Sequence, residues 1–240
     1  MYRLKRLIDD LTKMGIQPFI GYGNPDAEIL IVGKECAEED ETRLEKFVTH
    51  NFCQWKESFE GHGFSYKHAG EPYDFEHGNF HPVYPFFKQH NKIHRRKEND
   101  GRTSSTYFYY QRLIDKVRSG NAEKFVPAPY IDFFKDCFIT ELNDICRRND
   151  NGLVKDEHEE IKRHIRARFE WMRKTNFFNQ FKVVILACGP YANAIRSDEL
   201  LKKDLFGEAL IVDCKHQLSF WDKSLDKRIL EIHNHLKRQA

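Results

Sequence analysis

The sequence lacks any long, uninterrupted hydrophobic run. Its amino-terminal stretch, MYRLKRLIDDLTKMGIQPF, sets Leu4, Leu7, Ile8, Leu11 and Met14 at helical spacing, but charges interrupt it throughout. That pattern excludes a signal peptide or a membrane span here, so a cytoplasmic protein with no membrane partner is expected. Paired cysteines are missing too. The six cysteines are Cys36, Cys53, Cys137, Cys146, Cys188 and Cys214, and no two form a C-x-x-C motif. Three fall in or beside apolar runs, which fits free thiols in a reducing compartment. There is no internal repeat and no low-complexity tract, so a solenoid or a tail-like chain is not expected. Charge of one sign is absent as well: 39 Lys and Arg stand against 37 Asp and Glu, for a net charge of +2. This balance neither demands nor excludes a polyanionic partner, because clustering matters more than the sum.

What is present suits an α/β protein. With 240 residues, 40% of them hydrophobic, the chain can bury the core of one large domain spanning residues 1–240. Aromatics are frequent, with 20 Phe and 10 Tyr, and rings near a surface can stack on bases. Four apolar runs stand out: Ala27–Gly33 (AEILIVG), Cys137–Leu142 (CFITEL), Lys182–Gly189 (KVVILACG) and Ala209–Cys214 (ALIVDC). They are rich in Val and Ile and do not alternate with polar residues, as strands buried on both faces require. Helical patterns separate them, at about Glu38–His50, Ser105–Arg118, Asp156–Phe178, Tyr191–Lys203 and Trp221–Lys237. The alternation predicts a three-layer α/β/α fold on a four-stranded parallel sheet, with all strand carboxyl ends on one edge, where ligands bind. Residues 52–102 break the period and read as a long irregular insertion of the kind that carries function.

Candidate site residues gather at the predicted strand ends. Gly33 lets the backbone turn after the first run, and the following segment, Lys34-Glu35-Cys36-Ala37, would hang over the crevice. Glu35 is placed to orient a water or stabilise positive charge. Glu38, Glu39 and Asp40 suit a helix amino terminus, where carboxylates complement the dipole.

The stretch GNPDAEILIVGKECAEED resembles the opening of the bacterial iron–sulfur-type uracil-DNA glycosylases, in which an apolar strand runs into G-E-A-P-G and an acidic pair. CFITELNDICRR is similar to that group's second strand, VVILACGPYANAI to its third, and LIVDCKHQLSFW to its fourth strand with its H-P-S loop. The likeness spans about residues 20–220, interrupted by the insertion, and an ordered set of four motifs is more specific than any one. It implies a uracil-DNA glycosylase-like fold, DNA (single- or double-stranded) as partner, and excision of a damaged or non-canonical base. On that resemblance Gly33, Lys34 and Glu35 occupy the water-activating turn. The base-reading asparagine falls on Glu141 or near Asn143, depending on the gap. His216 would stabilise the departing base. Gln217 and Leu218 stand where the family has proline and serine, with Ser219 next, and Leu218 falls near the duplex-wedging leucine.

The sequence departs from the pattern in ways that bear on chemistry. The motif prolines are Cys36 and Gln217, and the amino-terminal cysteine pair is gone. No cofactor is therefore expected, since Cys146 alone cannot hold a cluster. A catalytically inactive nucleic-acid-binding module on the same fold, or a nucleotide or nucleoside hydrolase, is the alternative reading. His77-x-x-x-His81 and His90-x-x-x-His94 have ligand-like spacing, but Gly78 and Pro82 argue against a helix at the first pair, and no metal is expected. Lys88, Lys92 and His94-Arg95-Arg96-Lys97, with Tyr84, Phe86 and Phe87, read either as a phosphate-and-base surface or as a solvated loop. Tyr107 or Phe108 suits a pocket wall or helix packing. Lys162, Arg163, Arg166 and Arg168 are expected on a solvent face.

Overall fold

Ile29–Val32 has no polar side chain to present to water, and it becomes the buried centre of a sheet. The computed structural model describes residues 2–37, 51–57, 105–128, 131–147, 155–214 and 223–238. Its strands are β1 (Tyr22–Gly23), β2 (Ile29–Ala37), β3 (Cys137–Arg147), β4 (Val183–Leu186) and β5 (Leu210–Asp213), in the order β1-β3-β2-β4-β5. The four apolar runs supply β2 to β5, which pair with one another in parallel. The sheet is nevertheless five-stranded and mixed, not four-stranded and parallel, because β1 pairs antiparallel with β3. Two residues ending in glycine carry no readable strand period, so the sequence alone does not reveal this edge.

Helices cover the sheet. They are α1 (Tyr2–Met14), α2 (51–57), α3 (Ser105–Ser119), α4 (Lys155–Thr175), α5 (Asn193–Arg196), α6 (Glu199–Phe206), α7 (Lys223–Asp226) and α8 (Ile229–Arg238). α1 and α6 both pack on α4, while α3 packs on α8. Helix α1 buries Leu4, Leu7, Ile8 and Leu11, whereas Met14 is left largely exposed. Phe138 on β3 anchors an aromatic cluster: it stacks on Phe181, meets Phe177 edge-on and touches Trp55.

Four expectations change here, one of them the helix expected over Trp221–Lys237, which is split into α7 and α8. The insertion read as irregular from residue 52 begins with α2, whose Asn51 side chain accepts from Ile20 N at 2.9 Å and donates to Gly21 O at 2.7 Å. The helix expected over Tyr191–Lys203 is broken into a 3-10 turn (Gly189–Ala192), α5 and α6. Asp198 forces the last break by capping α6, its carboxylate accepting from Leu201 N at 2.9 Å. Arg168 is not on a solvent face: it is 1% exposed, and its Nη2 donates to Thr140 Oγ1 at 2.6 Å. Lys162, Arg163 and Arg166 are exposed as expected. The helical candidate at Glu38–His50, and most of the insertion, lie outside the described residues.

A polar clamp ties α3 to the segment before β3. Gln111 Oε1 accepts from the backbone of Asp132 and Phe133, and Arg118 bridges Asp132 at 2.7 Å and also binds Asp136. Burial alone would raise the Asp132 carboxyl. Hydrogen bonds from Arg118 and Gln111, with the charges of Arg118 and Lys135, outweigh it and hold the group below its ordinary 3.8. A depressed native pKa means that the unfolded chain binds the proton more tightly. The clamp therefore stabilises the fold above about pH 4 and is lost as pH falls through the native value. Denaturant melts of wild type and Asp132→Asn should differ at about pH 6 and converge towards about pH 3. A difference independent of pH would refute this assignment.

Candidate functional site

The candidate site follows from unequal strand lengths. β2 pairs with β3 from Ile29↔Cys137 through Gly33↔Glu141 and Glu35↔Asn143, with an irregularity before Ala37↔Arg147. β4 follows β2 only from Ile29↔Val183 to Val32↔Leu186. Past Val32 and Thr140, β2 and β3 therefore continue beyond β4 as a two-stranded ribbon. The chain leaves β4 through Ala187, whose N–H still reaches Val32 O at 2.8 Å, and then turns away at Gly189. Gly189 has φ of 55°, a conformation side chains other than glycine seldom adopt, so the turn depends on it.

This opening coincides with the point where the topology reverses. From β2 the chain proceeds towards β3, and from its neighbour β4 it proceeds the other way, towards β5. In open α/β sheets such a switch point leaves a crevice outside the carboxyl ends of the strands, where ligands bind. Gly33 and Lys34 continue β2 past this point, and Cys188, Gly189 and Tyr191 follow the end of β4. Lys34 spans the two, its Nζ lying 5.0 Å from the centroid of the Tyr191 ring.

The register brings together residues that the sequence places 108 positions apart, since Gly33 sits directly beside Glu141. A Cβ at position 33 would lie 2.0 Å from Glu141 Oε2 and 2.7 Å from its Cδ. The carboxylate is thus laid across the bare α-carbon of β2, and a methyl group at position 33 would require it to move. Glu141 is 6% exposed and Asn143 is 2% exposed. They share one face of β3, two residues apart. Glu35 pairs with Asn143 through the backbone, but its side chain is outside the described residues.

The far side of the crevice is latched by charge. Arg196 on α5 donates to both carboxylate oxygens of Asp213, at 2.6 and 2.8 Å, and to Asn193 Oδ1 at 2.7 Å. The Asp213 bond is the main reason the guanidinium pKa is raised. Its Nη2 also reaches Cys214 O at 3.4 Å, just past the end of β5. His216, Gln217, Leu218 and Ser219 follow it and lie outside the described residues. Cys188 is buried between these groups. Desolvation pushes its thiol far up; Arg196 opposes this, while Asp213 and Glu141 add to it. Cys188 therefore stays protonated at neutral pH and is no nucleophile.

The structure brings Gly33, Lys34, Glu141 and Asn143 to one edge, together with the backbone of Glu35. Tyr191, Arg196 and Asp213 join them without a sequence signal of their own, beyond the glycine that ends the third run. Tyr107 packs instead among Tyr22, Tyr110 and Phe133, as helix packing would have it. The histidine pairs and the basic segment around Arg95 lie outside the described residues, among which no group of three His, Cys, Asp or Glu suits a metal ion. No described helix is long and apolar enough to cross a membrane. Comparison with protein-family models, curated proteins and solved structures finds no match in any of the three.

The contact between positions 33 and 141 is testable by a double-mutant cycle. Gly33→Ala should destabilise the fold by about 1–3 kcal/mol, because the new methyl must displace a packed carboxylate. In a Glu141→Ala background the same change should cost clearly less, as coupled neighbours require. Additive effects in denaturant titrations would mean that the carboxylate does not rest on Gly33.

Proposed function

We propose that the chain recognises a nucleobase turned out of DNA and hydrolyses its N-glycosidic bond, on a uracil-DNA glycosylase-like fold. The observation that supports this reading best is the β2–β3 register. It sets Gly33 beside Glu141 and Glu35 beside Asn143 at the switch point of the sheet. These are the positions at which the resemblance in sequence puts the water-activating turn and the base-reading residue. The reading carries with it DNA as partner and a cytoplasmic location.

The chemistry divides among the strand ends. Water adds to the anomeric carbon of the sugar as the bond to the base nitrogen breaks; the electron pair leaves with the base, which finally takes up the proton that the water sheds. Glu35 orients the water or offsets positive charge on the sugar as the bond opens. His216 stabilises the negative charge gathering on the base, and Leu218 fills the gap left in the stack. Glu141 or Asn143 reads the edge of the base. Lys34, resting on Tyr191, contributes a cation at the lip of the crevice where a phosphate would pass.

Base release from single- and double-stranded oligonucleotides tests the proposal, using uracil, hypoxanthine, xanthine and mismatched thymine. Wild type should release at least one of them. Glu35→Gln and His216→Ala should each slow release by about 100-fold or more while leaving DNA affinity intact. Salt-sensitive binding with no release from any substrate would favour a binding module without turnover.

A further inference from the structure

The edge of the sheet opposite the candidate site carries a cleft of about 370 Å³, set where α3 and α8 meet the turn before β2 and the 3-10 turn before β3. Its floor is apolar. Ile29, Ile114 and Val117 are buried there, and Leu236 is partly buried against the core. Hydrogen bonds hold the walls in place. Asn24 Nδ2 donates to Lys135 O at 2.7 Å, while Asn24 Oδ1 accepts from Asp26 N at 2.9 Å. Across the cleft, His233 Nδ1 donates to Val117 O at 2.7 Å and fastens α8 to α3.

Charge at the rim is unevenly committed. Of the carboxylates, Glu28 is bound by Lys182 and Asp136 by Arg118, and Asp26 stands exposed to water, which screens it. Arg118 is committed in turn, to Asp132 as well as Asp136. Lys135 and Lys237 differ. Both are exposed and line the cleft, and no carboxylate among the described residues lies within ion-pair distance of either ammonium. An apolar floor thus lies beneath two cations with no counter-charge in contact. Small-ligand sites have this composition, mostly apolar with a few polar groups that fix orientation, in volumes of about 300–1,000 Å³.

We infer that this cleft binds a small organic anion, its acid group held by Lys135 and Lys237 and its apolar body laid on Ile114, Val117 and Leu236. Both parts are needed. An inorganic anion gains nothing from the floor, and a neutral ring gains nothing from the ammoniums. The site is separate from the crevice at the carboxyl edge of the strands, and would bind its ligand whether or not that crevice releases a base.

Titration of the 15N-labelled full chain at low salt with 4-phenylbutyrate, its neutral amide 4-phenylbutyramide and inorganic phosphate tests this assignment. Phenylbutyrate should saturate with a Kd of about 1 mM or tighter, as a ligand of roughly a dozen non-hydrogen atoms can reach. Its shifts should gather at Ala27, Val117, Lys135, His233 and Lys237. The amide should bind about fivefold more weakly, the worth of an exposed ion pair, and phosphate more weakly than the amide. Replacing both cations, Lys135→Gln with Lys237→Gln, should bring acid and amide within about twofold of each other. Lys174→Gln, at an exposed lysine that does not line the cleft, should leave the preference for the acid unchanged. The amide spectrum establishes that the double variant is folded; if it is not, the wild-type ranking of the three probes decides alone. Equal affinity for acid and amide, phosphate binding as tightly as phenylbutyrate, shifts centred away from the cleft, or no saturation by about 10 mM would overturn the inference.

Discussion

The candidate site depends on one constraint: β2 and β3 stay paired past the point where β4 leaves the sheet. Within the shared length, Ile29–Val32 is buried on both faces and can only be structural. Beyond it the same two strands carry Gly33, Lys34, Glu141 and Asn143, and the alternation of side chains that built the core now presents polar groups at an edge. No separate device is needed to place them. The ladder that fixes Ile31 against Ile139 also fixes Gly33 against Glu141, two residues on.

That arrangement costs stability and is compensated nearby. A nearly buried carboxylate loses solvation, and the thiol of Cys188, buried close to it, is kept neutral. Arg196 stands on the far wall, bound to Asp213, and ties the turn after β4 to the end of β5. The edge is thus stiffened from both sides, by strand pairing on one and by an ion pair on the other. A site held by strands and a latched turn keeps its geometry better than one carried on loops alone.

Much of the sheet was legible in the sequence, for a physical reason. β2 to β5 are buried on both faces, so their apolar runs are continuous and easy to find. β1 was not legible, because two residues carry no period. The break at Asp198 was hidden because a capping aspartate looks like any other charge inside a helical pattern. Arg168 shows the limit of reading a basic helix as a solvent face: its neighbours Arg163 and Arg166 do face water, while it reaches beneath the sheet to Thr140. At the site, Glu141 and Asn143 could be named from the sequence, but the approach of Glu141 to Gly33 could not. It is a consequence of register between strands more than a hundred residues apart. The Arg196–Asp213 latch is hidden for the same reason, being a tertiary contact between two ordinary surface residue types.

The claim on which the rest stands is that ligand enters at the carboxyl edge of the strands, between β2 and β4. Amide chemical-shift mapping of the 15N-labelled chain during titration with a short single-stranded oligonucleotide tests it most directly. Shifts should concentrate at Gly33, Lys34, Asn143, Gly189 and Tyr191, with little change at Asn24, Lys135 and Asp136 on the opposite edge. Shifts gathered at that opposite edge, with the Gly33 and Gly189 amides unmoved, would contradict it.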